Sequence, residues 1–138
     1  MPVVSANVAP VGLPQELEHS PERGQVDPAP PRATQTLTEA GDLLRALAAP
    51  VRVAIVLQLH ESERCVHELV AALGVTQPLI SQHLRVLKSA GVVASERHGR
   101  EVVYRLVDDH LAHIVVDAVS HVEEGRHGPG RGHGKDRA

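Results

Sequence analysis

The chain has 138 residues, room for one domain, with 14 Lys and Arg against 17 Asp and Glu, for a formal net charge of -3. Its single cysteine excludes an internal disulfide framework and fits a reducing cytoplasm, and its longest aliphatic run, Val53 to Leu57, is too short to cross a bilayer. One tyrosine, with no Phe or Trp, dictates an aliphatic core and offers no stacking platform of the kind that single-strand and RNA binders use.

Residues 1–35 hold seven of the ten prolines and few large apolar side chains, which reads as a disordered arm. The stretch before Pro10 has neither the basic start nor the apolar run of a secretory signal. An ordered domain is expected over residues 36–124. Thr36 and Glu39 have the spacing of a capping box, and Leu37, Ala40, Leu43, Leu44 and Leu47 form the apolar stripe of a first helix. Pro50 suits the first turn of a second helix, with Val51, Ala54, Ile55 and Leu59 inward. A brief third helix runs from Val66 to Leu73 and stops at Gly74, whose missing Cβ permits a left-handed ending.

Thr76 is placed to cap a fourth helix, with Pro78 tolerated in its first turn and Ile80, Leu84 and Leu87 at core spacing. The opposite face carries Gln77, Ser81, Gln82, Arg85 and Lys88. A short helix, a glycine turn and a helix with a hydrogen-bonding outer face make a helix-turn-helix, whose second helix enters the DNA major groove. Gly91 ends that helix, and two β-prone runs, Val92 to Glu96 and Glu101 to Leu106, joined across residues 97–100, predict a hairpin wing. From Thr76 to Arg105, five basic side chains (Arg85, Lys88, Arg97, Arg100 and Arg105) stand against Glu96 and Glu101, a local excess of +3 within an acidic chain. Gln77, Ser81, Gln82, Arg85 and Lys88 are therefore candidates for the groove, and Arg97 and Arg100 for backbone or minor groove. His83 fits either that face or internal packing.

Asp108 to Glu124 reads as a fifth helix. At about 100° per residue, His110, His113, Asp117, His121 and Glu124 fall within an arc of roughly 80°. Leu111, Ile114, Val115, Ala118, Val119 and Val122 fill the neighbouring arc. Residues 107–124 contain no Lys or Arg, so five carboxylates there are uncompensated. Asp108, His110, His121 and Glu124 offer two imidazoles and two carboxylates, a set suited to a borderline divalent ion such as zinc or cobalt. His110 and His121 are eleven residues apart, which on one helix means roughly 16 Å. One ion cannot touch both within a chain, but two helices packed antiparallel about a twofold axis bring His110 of one near His121 of the other. The spacing therefore implies a homodimer with two equivalent sites.

Asp-x-His, ten residues, then His-x-x-Glu resembles the C-terminal helix sensing motif of zinc-responsive ArsR/SmtB family repressors, with all four positions matched and the resemblance extending from about Thr36 to Glu124. It implies a mainly α winged helix-turn-helix fold in which four helices, a two-stranded wing and a fifth helix follow in order, assembled as a homodimer. It further implies a cytoplasmic repressor that binds palindromic double-stranded operator DNA without metal and releases it when zinc is bound. In metal-sensing members the start of the third helix carries a Cys-Val-Cys-Asp-Leu motif for soft metals. Here Cys65, Val66, His67 and Glu68 stand there, the proline-rich arm offers no cysteine but only groups such as Glu16, Glu18 and His19, and a small buried cysteine is the plainer reading.

Two other functions fit the same residues. One keeps the module but senses nickel, cobalt or no metal; nickel commonly takes six ligands, which would draw on His113, His127 or the arm. The other is a zinc hydrolase, disfavoured because four protein ligands leave no open position for water and no separate general base is apparent, so no small-molecule substrate is expected. Residues 125–138, glycine-rich with His127 and His133 and a basic excess, are expected to be a disordered tail.

Overall fold

The computed structural model describes residues 24–127, and the chain divides into two units, Met1–Arg32 and Ala33–Ala138. In the first, residues 24–32 carry no helix or strand and are exposed. Most of the expected arm (1–23) and tail (128–138) lies outside the described residues.

The second unit runs α1 (Thr34–Leu47), α2 (Pro50–Glu61), β1 (Arg64–Cys65), α3 (Val66–Leu73), α4 (Gln77–Ser89), β2 (Val93–His98), β3 (Glu101–Leu106) and α5 (Asp109–His127). Helix α1 starts earlier than its sequence suggests. Ala33 is its N-cap, with no side-chain cap bond, so Thr36 lies inside the first turn. Glu39 accepts instead from Gln35 Nε2 at 2.6 Å, an i, i+4 pair along one face. The Thr36–Glu39 capping box is thus not formed. Glu68 makes one at α3, accepting from the Cys65 N–H at 2.9 Å while the Cys65 side chain faces the Glu68 N–H.

The helix ends follow the glycines. Gly74 adopts φ 67° and donates to the Val70 carbonyl at 2.9 Å. After α4, Gly91 at φ 80° donates to Lys88 O and Val92 donates to Leu87 O, the paired bonds of a Schellman ending. Pro50 and Pro78 both sit in the first turns of their helices, where a missing N–H costs nothing. Thr76 is the N-cap of α4, but through its carbonyl, which accepts from Ile80 N, and not through its hydroxyl.

Strand β2 reaches His98, two residues beyond the expected run, so the hairpin closes over Gly99 and Arg100 alone, with Gly99 at φ 66° as a II′ turn requires. A third strand was not expected. Cys65 pairs with Val103 and Arg64 with Tyr104, giving the antiparallel order β1-β3-β2.

Twelve aliphatic side chains from α1, α2, α3, α4, β2, α5 and the α4–β2 turn form one core, among them Ile55, Val56, Leu69, Ile80, Leu87 and Val92 at 0% exposure. No buried side-chain polar atom among the described residues lacks a partner. The apolar stripe of α1 is covered only at its end: Leu47 is buried, whereas Leu37 and Leu44 stay more than half exposed. Helix α5 likewise buries Leu111, Ala112 and Val115 but leaves Ile114 and Val122 open. No helix of the described residues is long and apolar enough to cross a membrane. The arrangement is a winged helix-turn-helix, α3 and α4 being the helix pair and β2–β3 the wing.

Candidate nucleic-acid interface and metal ligands

Three core anchors fix the roll of α4: Ile80, Leu84 and Leu87 are at most 1% exposed. Because they occupy one face, Gln77, Gln82, Arg85 and Lys88 are turned outward, and Ser81 sits half-buried at the edge. Lys88 reaches the wing, donating from Nζ to Ser95 Oγ at 2.7 Å. At the wing tip Arg97 and Arg100 are exposed, and Arg97 Nη1 lies 3.5 Å from the Gly99 carbonyl. His83 does not join this face. Its Nδ1 lies 3.3 Å from Arg52 Nη1, and Arg52 Nε donates to the Ala46 carbonyl, so His83 links α4 through α2 to the end of α1.

On α5, Asp108 precedes the first turn and accepts from the Leu111 N–H at 3.3 Å, an N-cap role that the sequence reading did not give it. The same oxygen lies 3.6 Å from His110 Nδ1. His110, His113, Asp117, His121 and Glu124 are all exposed. The single chain brings together Asp108 with His110, while His121 and Glu124 stand one turn apart near the other end of the 19-residue helix. No single-chain cluster joins the two pairs among the described residues. As a donor set they fit a borderline divalent ion: nitrogen and oxygen atoms, exposed, on a stretch without a competing cation.

A different group does converge within one chain. Cys65 Sγ lies 3.3 Å from His67 Nδ1, which lies 4.0 Å from Glu101 Oε2, and ligand atoms of the three all fall within 4.8 Å of one another. Glu68, which sequence spacing associates with Cys65, is engaged by the capping box; Glu101 takes its place. Nothing local in the sequence signals this, because it depends on the β1–β3 register. Burial pushes the Cys65 thiol above its ordinary value, and the carboxylates of Glu68 and Glu101 add to the effect. The Glu68 carboxyl is held below its usual range, chiefly by the hydrogen bond from the Cys65 backbone.

Residues 49–95 match the model of the bacterial regulatory protein arsR family. The chain is 71% identical over 97 residues to the HTH-type transcriptional repressor SmtB of Mycobacterium tuberculosis, covering 70% of this chain and 71% of the relative. It is 37% identical over 100 residues to the HTH-type transcriptional regulator NmtR of the same organism, covering 72% of this chain and 83% of the relative. Among solved structures, the homodimeric winged helix-turn-helix domain of Mb0332 from Mycobacterium bovis is similar at TM-score 0.64 and 28% identity, over 77% of this chain and 95% of that one. These relatives are DNA-binding regulators and not enzymes, which removes the hydrolase reading.

Proposed function

Because the chain belongs to the arsR family of bacterial regulatory proteins, we propose that it is a cytoplasmic, homodimeric transcriptional repressor that binds a palindromic operator when metal-free and lets go when zinc is bound at α5. The observation that carries this reading is the division of labour on one core: α4 turns Gln77, Gln82, Arg85 and Lys88 outward, and α5 with its N-cap residue exposes Asp108, His110, His121 and Glu124. DNA and metal are read by different faces, so one can control the other.

Dimerisation is supported by the apolar side chains that the single chain leaves open, Leu37 and Leu44 on α1 with Ile114 and Val122 on α5. In an antiparallel α5 pair, Asp108 and His110 of one protomer meet His121 and Glu124 of its partner. A zinc ion there would be held by these four side chains and would join the two protomers. The four side chains hold the two α5 helices in one relative position, and the α4 helices, fixed to α5 through the core, take a separation that no longer matches successive major grooves. The factor by which bound metal lowers the affinity for DNA equals the factor by which bound DNA lowers the affinity for metal.

A second reading, nickel or cobalt as the signal, is favoured by His113, which is exposed one turn from His110 and adds an imidazole for a six-coordinate ion. Fluorescence anisotropy on DNA from upstream of the gene's own neighbourhood, metal-free and with zinc, cobalt or nickel, separates the readings. Zinc releasing the DNA at the lowest free concentration supports the first. Release by nickel at lower concentration supports the second, and no metal effect on binding rejects both.

A further inference from the structure

Helices α1, α2 and α4 border an open cavity of about 520 Å³ whose charged lining is Asp42 and Arg45 of α1, Arg52 of α2 and Arg85 of α4. Three guanidinia against one carboxylate leave a local excess of +2 in a chain that is acidic as a whole. Arg52 is half-buried there. Its Nε donates to the Ala46 carbonyl and its Nη1 lies 3.3 Å from His83 Nδ1. Neither partner is a carboxylate, and these bonds use only part of the five N–H donors of a guanidinium. Among the described residues no carboxylate pairs with Arg52. Arg45 does have one, Asp42, at 3.5 Å on the same helix, but the two side chains are 72% and 68% exposed. A pair so open to water is held weakly. A phosphate, which a guanidinium grips through two parallel N–H···O bonds, can take the place of Asp42.

The cavity lies where a phosphate would arrive. A helix seated in the major groove has a sugar-phosphate strand along each of its flanks. The wing covers one flank of α4, to which Lys88 is bonded through Ser95. Ser89, which lines the cavity, follows Lys88 directly and so stands about 100° from it around the helix. Arg85, exposed on the groove face, also borders the cavity and joins the two surfaces. We infer that Arg45 and Arg52 form a phosphate site that holds the operator backbone on the flank of α4 away from the wing. Helix α1, outside both the helix-turn-helix and the wing, thereby becomes part of the DNA interface. Contacts of this kind carry no sequence information; they fix the register of α4 in its groove. This site rests on the operator binding proposed above, and not on zinc or on α5.

The test compares the metal-free, full-length dimer with R45Q by anisotropy on the operator fragment over a range of salt. Arg45 is exposed and Gln is nearly as good a helix former, so R45Q should fold as the unaltered protein does. Its salt slope should be lower by about one unit for each protomer bound. Operators in which single phosphates are replaced by neutral methylphosphonates locate the contact. In each half-site, one replacement that weakens binding of the unaltered protein should have no effect on R45Q, and R52Q should be insensitive at the same position. Asp42→Asn, which removes the competing carboxylate, should act in the opposite direction and tighten binding. Because R52Q also loses the bond to Ala46, R45Q carries the test if R52Q fails to fold.

A salt slope and a methylphosphonate profile in R45Q equal to those of the unaltered protein overturn the site, as does weaker binding in Asp42→Asn. Inorganic phosphate that raises the melting temperature of the unaltered protein and not of R45Q, with both DNA profiles unchanged, would assign the cavity to a free anion and overturn it too. Failure of the unaltered protein to bind DNA at any salt rejects the repressor reading and the site with it, whereas an R45Q that binds as the unaltered protein does rejects the site alone.

Discussion

Lys88, in the last turn of α4, donates to Ser95 Oγ on β2 at 2.7 Å, tying the recognition helix to the wing. Removing Lys88 takes away both a tether and a positive charge, whereas removing Ser95 takes away only the tether. Ser95→Ala should weaken operator binding by a small factor, since an exposed hydrogen bond contributes about 0.5–1.5 kcal/mol, and should leave the salt slope unchanged. Lys88→Ala should also lower that slope by about one unit if the ammonium neutralises a phosphate. Anisotropy titrations over a range of salt decide it: equal slopes for the two variants would make Lys88 a tether only.

Arg85 is exposed on α4, on the face opposite Ile80, Leu84 and Leu87. Arg85→Ala should cost about 1–3 kcal/mol of operator affinity if the guanidinium reads a guanine edge, without changing dimerisation or zinc uptake. Sedimentation and zinc titration of the same preparation provide the check. A variant that loses DNA and zinc together would show that the two faces are not separable.

Arg97 and Arg100 flank Gly99 at the wing tip and point into solvent. Each Ala substitution should reduce the salt slope of operator binding by about one unit if each side chain contacts one phosphate. Slopes equal to that of the unaltered protein would remove the wing tip from the interface.

Asp108 has two roles that chemistry can separate, because it caps α5 through the Leu111 N–H and is also a candidate ligand. Asp108→Ala should lower stability by about 1 kcal/mol and weaken zinc binding as well. Asp108→Asn retains an oxygen that caps nearly as well, so its denaturation midpoint should stay close to that of the unaltered protein while zinc affinity falls. Equal zinc affinity in Asp108→Asn and the unaltered protein would exclude Asp108 from the site.

The cross-dimer arrangement is tested with a mixed dimer carrying His110→Ala in one protomer and His121→Ala in the other, purified on two tags. If each site draws Asp108 and His110 from one chain and His121 and Glu124 from the other, one site loses both imidazoles and the other keeps every ligand. About one tight zinc per mixed dimer is expected, against almost none in either mutant homodimer. No recovered tight site would refute the antiparallel pairing.

Some of this molecule is legible along the chain alone. The anchors Ile80, Leu84 and Leu87, the stops at Gly74 and Gly91, and the proline starts at Pro50 and Pro78 depend on neighbours within about four residues, and each lies where its spacing places it. The exposed face of α5 that carries His110, His113, Asp117, His121 and Glu124 is legible for the same reason, as is the basic excess around α4 and the wing.

Tertiary structure decided the rest. Thr36 and Glu39 have the right spacing for a capping box, yet Ala33 and Thr34 already begin the helix, while the box that forms uses Cys65 and Glu68, where β1 sets the N-cap. His83 became a packing residue because α2 brings Arg52 beside it. Glu101 meets Cys65 and His67 only because β1 pairs with β3, fixing Cys65 opposite Val103. Contacts such as these join residues 31 to 38 positions apart, and no local periodicity encodes a register across that distance; the whole core must close before it is set.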